Sequence, residues 1–168
     1  MRVLQMGNST MSGKLSEWGP LPLRLIAGFG FIYHGFPKIS SVEGHETFAK
    51  MLSGMNLPAP GFLAWAAGLG EVAGGLALIA GAFVVFASVL LTIEMLVAMF
   101  KVHLAAGFSF INIKGTGAAG PIFGLPGYEV NLLYIAALLA LILMGAGAFS
   151  IDRLRGQRSH RYHEYLRR

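Results

Sequence analysis

Apolar positions run along the chain in four blocks: Leu21 to about Ile39, Gly61 to Ala80, Ala82 to His103, and Glu129 to about Phe149. Each is close to the roughly 20 residues an α-helix needs to cross about 30 Å of hydrocarbon. The second and third meet at Ala80-Gly81, where glycine can take the left-handed backbone that ends a helix, so the pattern predicts a membrane hairpin. Between the first two blocks, Val42, Phe48, Met51, Leu52 and Met55 alternate with Glu43, His45, Glu46 and Lys50 before Pro58 and Pro60. That segment reads as a surface helix lying on the membrane. Ala105 to Tyr128 is rich in glycine yet carries Phe108, Phe110, Ile111 and Phe123, and reads as an apolar loop folded over the mouth of the bundle. The predicted fold is all-α, an integral membrane four-helix bundle with an outer surface helix and a Gly-rich outer loop. It forms one transmembrane domain over 20–152, between an N-terminal segment 1–19 expected to be mobile and a basic tail 153–168.

Composition sharpens this picture. Hydrophobic residues make up 55% of the 168 and charged residues 12%, about half the charged share of a soluble domain, which excludes an ordinary globular surface. The first apolar block lacks an A-x-A type cleavage site and is expected to remain in the mature protein. The chain has no cysteine, so thiolate metal sites and a cysteine redox relay are excluded from its own repertoire. The net charge of +5 is concentrated in Arg153, Arg155, Arg158, Arg161, Arg167 and Arg168. Basic residues directly after a membrane helix are a topology signal and a contact for anionic lipid rather than for nucleic acid. They place both termini and the Gly81 turn in the cytoplasm of a multi-pass protein of the cell membrane.

Ionisable residues inside the apolar blocks demand a reason, because one at the bilayer centre costs about 2.5 to 3.5 kcal/mol on insertion scales. Arg24, Phe31 and Lys38 recur every seven residues, with Ala27, Gly28, His34 and Gly35 assigned to the same stripe of the first helix. Glu71 lies ten residues before Gly81 and Glu94 thirteen after it, so both fall near mid-bilayer and can face each other. Gly70-x3-Gly74, with Gly68 and Gly75, removes bulk beside Glu71. Ala87, Glu94 and Lys101 share a heptad position on the third helix, while His103 falls on the opposite face from Glu94. Lys38, Lys101, His103 and Glu129 lie towards the outer helix ends, so the polar cluster is expected to open outward.

Two readings of these residues stand side by side. In one, Arg24, Glu71 and Glu94 form an interhelical ion-pair network that only fixes register. In the other, His34, Glu71 and Glu94 line a polar cavity and exchange protons with a bound substrate, with Arg24, Lys38, Lys101, His103 and Glu129 as further contacts. No metal site is expected, since neither Glu71 nor Glu94 belongs to the Glu-x-x-His pair of a di-metal bundle. A haem between His34 and His103 rests on an unspecific match of two histidines and is disfavoured.

Arg24-x3-Gly28-x2-Phe31-x2-His34-Gly35-x2-Lys38 resembles the DoxX family of small four-helix membrane proteins. The resemblance continues in order through Gly70-Glu71-x2-Gly74-Gly75-x5-Gly81, Glu94, His103 with Gly107-Phe108, Gly127-Tyr128-Glu129-x-Asn131 and the run Gly145 to Asp152. It covers about Pro20 to Asp152. It implies a cytoplasmic-membrane protein related to subunits of quinone-reducing complexes, thiosulfate:quinone oxidoreductase among them, or to partners in thiol-stress assemblies. The expected function is therefore a membrane subunit of a quinone-linked oxidoreductase system, with quinone bound between helices and a protein partner or a homo-oligomer. The alternatives are a non-catalytic scaffold anchoring a soluble redox partner, or a small proton-coupled transporter, the latter disfavoured by the absence of an inverted repeat. Without cysteine, any sulfur chemistry would belong to a partner or to direct attack on a bound substrate.

Overall fold

The computed structural model describes residues 16–156. Its elements are α1 (Pro20–Ser40), α2 (Val42–Gly54), α3 (Pro60–Ala80), α4 (Val84–Ala98), a two-stranded sheet of β1 (Ile113–Gly117) and β2 (Gly120–Phe123), and α5 (Glu129–Met144). The protein is mostly helical, as the apolar blocks require. Around the described bundle α1 packs on α3, α3 on α4, α4 on α5 and α5 back on α1, while α2 lies across α1 and α3. The closed ring surrounds Ala27, Phe31, Leu78, Val84, Ala87, Leu91, Leu138 and Leu141.

Local chemistry explains the helix ends. Pro20 and Pro60 begin α1 and α3, where a missing N–H costs nothing. Ser41 caps α2 by accepting from the Gly44 N–H at 2.9 Å. Gly81, at φ 67°, ends α3. The Gly81 N–H reaches the Leu78 carbonyl at 3.1 Å and the Ala82 N–H reaches that of Ala77 at 2.9 Å, satisfying carbonyls left open at the terminus.

Two helices are long and apolar enough to cross a membrane, Pro60–Ala80 and Val84–Ala106. Of their most apolar stretches only 28% and 33% is buried inside the protein, so most of that surface faces outward. The outward faces of the other long helices are apolar as well, with Ile26, Phe29, Leu133 and Leu143 exposed.

Several boundaries differ from the sequence pattern. The last helix stops at Met144, five residues early, because Gly145 and Gly147 take positive φ and turn the chain across the end of the bundle. The segment read as a loop contains the antiparallel β1–β2 hairpin. The C-terminal end of α4 widens into a π turn over Met99–His103 and tightens into a 3₁₀ turn over Leu104–Ala106. Positions 1–15 and the arginines Arg158, Arg161, Arg167 and Arg168 lie outside the described residues.

The most extensive helix packing joins α1 and α3, and its chemistry is glycine. Gly28 and Gly35 on α1 sit seven residues apart, as do Gly68 and Gly75 on α3. A Cβ on Gly75 would come within 2.5 Å of the Gly28 carbonyl oxygen, and one on Gly35 within 2.9 Å of the Gly68 carbonyl oxygen. Backbone therefore meets backbone at two levels along the antiparallel pair, a close approach only residues without side chains permit. Gly74 instead makes room for Leu91 of α4, and a Cβ on Gly70 would meet nothing within 4 Å. The Gly70-x3-Gly74 spacing singled out from the sequence is thus not the seam. Gly75→Ala is expected to lower stability by about 1 to 3 kcal/mol through overpacking, whereas Gly70→Ala should change it little. Thermal melting in detergent measures both, and equal melting temperatures would remove the seam.

Candidate functional site

The ring holds two buried polar centres, one at each end of α1. Arg24 and Lys38 share a face because fourteen residues are two heptads, which also puts them about 21 Å apart along the axis. At the Gly81 end, Arg24 is fully buried. Its Nε donates to the Leu78 carbonyl at 2.9 Å, and its Nη1 donates to the carbonyls of Ala146 and, at 3.1 Å, Ala148. Its Nη2 donates to those of Ile79 at 3.3 Å and Phe149 at 3.0 Å. All five guanidinium donors are used. Two of the acceptors belong to the last turn of α3, where unpaired carbonyls give the helix a negative end that suits a cation.

The ion-pair network of Arg24 with Glu71 and Glu94 is therefore not formed. Arg24 lies too deep at the opposite end of the bundle and finds its counter-dipoles in backbone carbonyls. Asp152, whose charge also acts on Arg24, accepts from the Phe83 and Val84 N–H groups at 2.8 and 2.9 Å and so caps the start of α4. Nearby, Arg153 pairs with Glu17 at 2.6 Å, and the Arg155 guanidinium sits 4.9 Å from the Phe83 ring centre.

The second centre lies towards the α2 end. Lys38 pairs with Glu71 and lies 4.2 Å from the Phe48 ring centre on α2. Their side chains are 14% and 5% exposed, so the pair is largely out of water. Glu94 of α4, half-buried, lies against both Glu71 and Lys38. The two carboxylates face each other as the hairpin geometry required, and the cation between them is Lys38 rather than Arg24. Two carboxylates against one ammonium leave a negative charge that a proton, or a hydrogen-bond donor on a ligand, would compensate.

A cleft of about 460 Å³ between α1 and α2 reaches this centre, lined in part by His34, Lys38, Ser41, Thr47, Phe48 and Met51. His34 acts on Glu71 through its charge, but it is exposed and stacks edge-on against Tyr33 at 5.5 Å. It does not share the buried stripe of Arg24. Ten residues of helix rotate it about 80° away from that line.

The remaining sequence candidates are placed elsewhere. Lys101 is exposed, because the π turn that begins at Met99 breaks the heptad register running down from Ala87 and Glu94. His103 Nδ1 donates to the Pro126 carbonyl at 2.9 Å, and Glu129 accepts from the Phe110 N–H at 2.9 Å. With the backbone bonds from Gly127 to Ser109 and from Tyr128 to Gly107, these two side chains fasten the outer loop. Ser88 was not anticipated; it is buried on α4, and its hydroxyl has no partner among the described residues. Its signal was a hydroxyl one turn before Thr92, whose own Oγ1 donates to the Ser88 carbonyl at 2.7 Å.

The DoxX family model matches residues 19–104, which include Arg24, the glycine seam and the whole Lys38–Glu71–Glu94 centre. The chain belongs to the DoxX family. Two relatives from Haemophilus influenzae, each described as an uncharacterized protein, agree with this. One is 30% identical over 131 residues, covering 77% of this chain and 85% of its own. The other is 28% identical over 153 residues, covering 89% and 91%. No solved structure matches. The DoxX match contains both centres but stops before the Gly145–Asp152 segment that supplies three of the Arg24 acceptors.

Lys38→Met should strand two facing carboxylates and cost about 3 to 5 kcal/mol, while Lys101→Met on the exposed π turn should cost less than about 0.5. Adding Glu71→Gln to Lys38→Met should recover most of the loss. Denaturation of the four proteins closes this double-mutant cycle, and strictly additive losses would show that the pair does not couple.

Proposed function

We propose that the helical ring is an integral four-helix bundle of the cell membrane, with both termini and the Gly81 turn cytoplasmic. We further propose that it is the membrane subunit of a quinone-linked oxidoreductase system. The apolar exteriors of all four long helices support the first part, as does the placing of Arg153 and Arg155 at the Gly81 end. The observation that carries the second is the pair of facing carboxyl groups sharing one ammonium beneath a cleft.

A quinone bound there would supply an electron-accepting ring, becoming quinol as it takes two electrons from a reduced partner protein and two protons from the site. Glu71 and Glu94, which lie behind Lys38 rather than in the cleft lining, would hold and deliver those protons. Lys38 keeps the pair from repelling itself apart. His34, exposed at the cleft wall, returns protons to the carboxyl groups from outside water. Arg24, His103 and Glu129 are bound up in protein contacts and hold the frame.

Topology is tested with single cysteines, which the cysteine-free chain allows on a clean background. Thr116→Cys should react with a membrane-impermeant maleimide in intact spheroplasts, and Ala82→Cys only after permeabilisation. The reverse pattern would invert the assignment.

Activity is tested in a reconstituted system with the native electron donor. Glu94→Gln should slow quinone reduction by about 10²- to 10⁴-fold, the usual contribution of a general acid, with a melting temperature at or above the wild type because a like charge is removed. His34→Gln should also slow it without loss of stability, and Lys50→Gln on the exposed face of α2 should not. Full activity of Glu94→Gln when chemistry limits the rate would return the centre to a purely structural role in a scaffold.

A further inference from the structure

His34 belongs to two depressions at once. On one side it lines the α1–α2 cleft of about 460 Å³, whose wall also carries Lys38, Ser41, Glu43 and Thr47. On the other it closes a groove of about 450 Å³ along the outside of α1, formed by Phe29, Ile32, Tyr33, His34, Phe36 and Pro37. Pro37 lines both as well, so the two adjoin along this stretch of α1. Their chemistry differs sharply. The cleft offers hydroxyls, an ammonium and a carboxylate, while the groove offers rings, with Phe29, Tyr33 and Phe36 each more than half exposed to whatever surrounds the helix.

We propose that this paired site binds a single-tailed amphiphile, with its head in the cleft beside His34 and its tail along the Phe29–Phe36 groove. The imidazole at the junction makes a ring contact with Tyr33 and no hydrogen bond among the described residues, so it is free to bond a head group. Charge selects the head. Lys38 is already matched by Glu71, the charge of His34 also acts on Glu71, and Glu43 adds a negative charge to the wall, so a phosphate or carboxylate would meet no unmatched cation in the cleft lining. A neutral group that accepts hydrogen bonds from the hydroxyls or the imidazole fits. The tail needs an unbranched or isoprenoid chain, because the groove is open to one side and rimmed by aromatic faces. The inference rests on the membrane placement proposed above, which puts the groove against lipid, but it does not require redox chemistry. An isoprenoid quinone and a long-chain alcohol share the needed chemistry.

Photoaffinity labelling of the full chain in lipid nanodiscs tests it. The probes are an isoprenyl benzoquinone and a hexadecanol analogue, each bearing a diazirine near the end of its tail, with cross-links mapped by mass spectrometry. Label should concentrate on the peptide spanning residues 29–37 at least fivefold over other lipid-facing peptides of α3 and α5. Phe29→Ala/Phe36→Ala should abolish that excess without lowering the melting temperature. An excess of an anionic single-tailed lipid should not compete. Labelling by both probes supports the amphiphile site and leaves the redox reading to the Glu94→Gln assay. Labelling by the quinone alone supports the site and ties it to that reading. Even labelling around the bundle, labelling unchanged in the double alanine variant, or displacement by the anionic lipid overturns the proposal, whatever the outcome for Glu94.

Discussion

A fully buried guanidinium with no carboxylate in direct contact among the described residues is held in place by backbone carbonyls, and the Gly81 end of the bundle is built to do it. Arg24 needs five acceptors. Two come from α3 because it terminates there, and three come from the segment after α5 because Gly145 and Gly147 bend it across the bundle end. A buried cation with any donor unmet would cost several kcal/mol, so the positions of α1, the end of α3 and the exit of α5 are fixed together. The same segment then provides Asp152 to the first N–H groups of α4, which brings the fourth helix into the same joint.

Fixing that end also sets the geometry of the other. The glycine seam draws α1 and α3 to backbone contact over two heptads, and this rigid pair delivers Lys38 to Glu71 at a set depth. Glu94 arrives from α4, across the Gly81 turn. With little solvent to screen them, the two carboxylates and the ammonium interact far more strongly than they would at a surface. Such a centre depends on its one cation, and its excess of negative charge makes it sensitive to the arrival of a proton or a hydrogen-bonding ligand.

Much of this was legible in the sequence, and what was missed has identifiable physical causes. Block length and the Ala80-Gly81 pair placed α3 and the hairpin turn to within a residue, because glycine termination is a local property. The facing of Glu71 and Glu94 followed from counting outward from that turn. Which cation lay between them did not follow. Arg24 and Lys38 sit on one helical stripe two heptads apart, and periodicity gives direction around a helix but no partner at each depth. A guanidinium satisfied by carbonyls of residues more than fifty and more than one hundred and twenty positions away leaves no pairwise charge signal. His34 was assigned to the wrong face by grouping it with Gly35. Lys101 was displaced by a π turn, which no apolar repeat announces. The β1–β2 hairpin hid in a glycine-rich stretch whose alternation is short and whose strands are exposed at every position but Gly120.

The two ends also bear on transport. An alternating-access device must open its site to each side in turn by moving one group of helices against another. Here the path from Glu71 towards the Gly81 end is filled by Leu78, Leu91, Leu138 and Leu141, each at most 1% exposed. Beyond them lies the Arg24 joint. Opening that route would break hydrogen bonds to a charged group, each worth about 1.5 to 3 kcal/mol, and expose the cation to the core it now seals. Opening the route at the α2 end asks far less, since the α1–α2 cleft already reaches Lys38. The energetic asymmetry leaves one accessible mouth, which suits the proposed proton-delivering subunit better than a carrier.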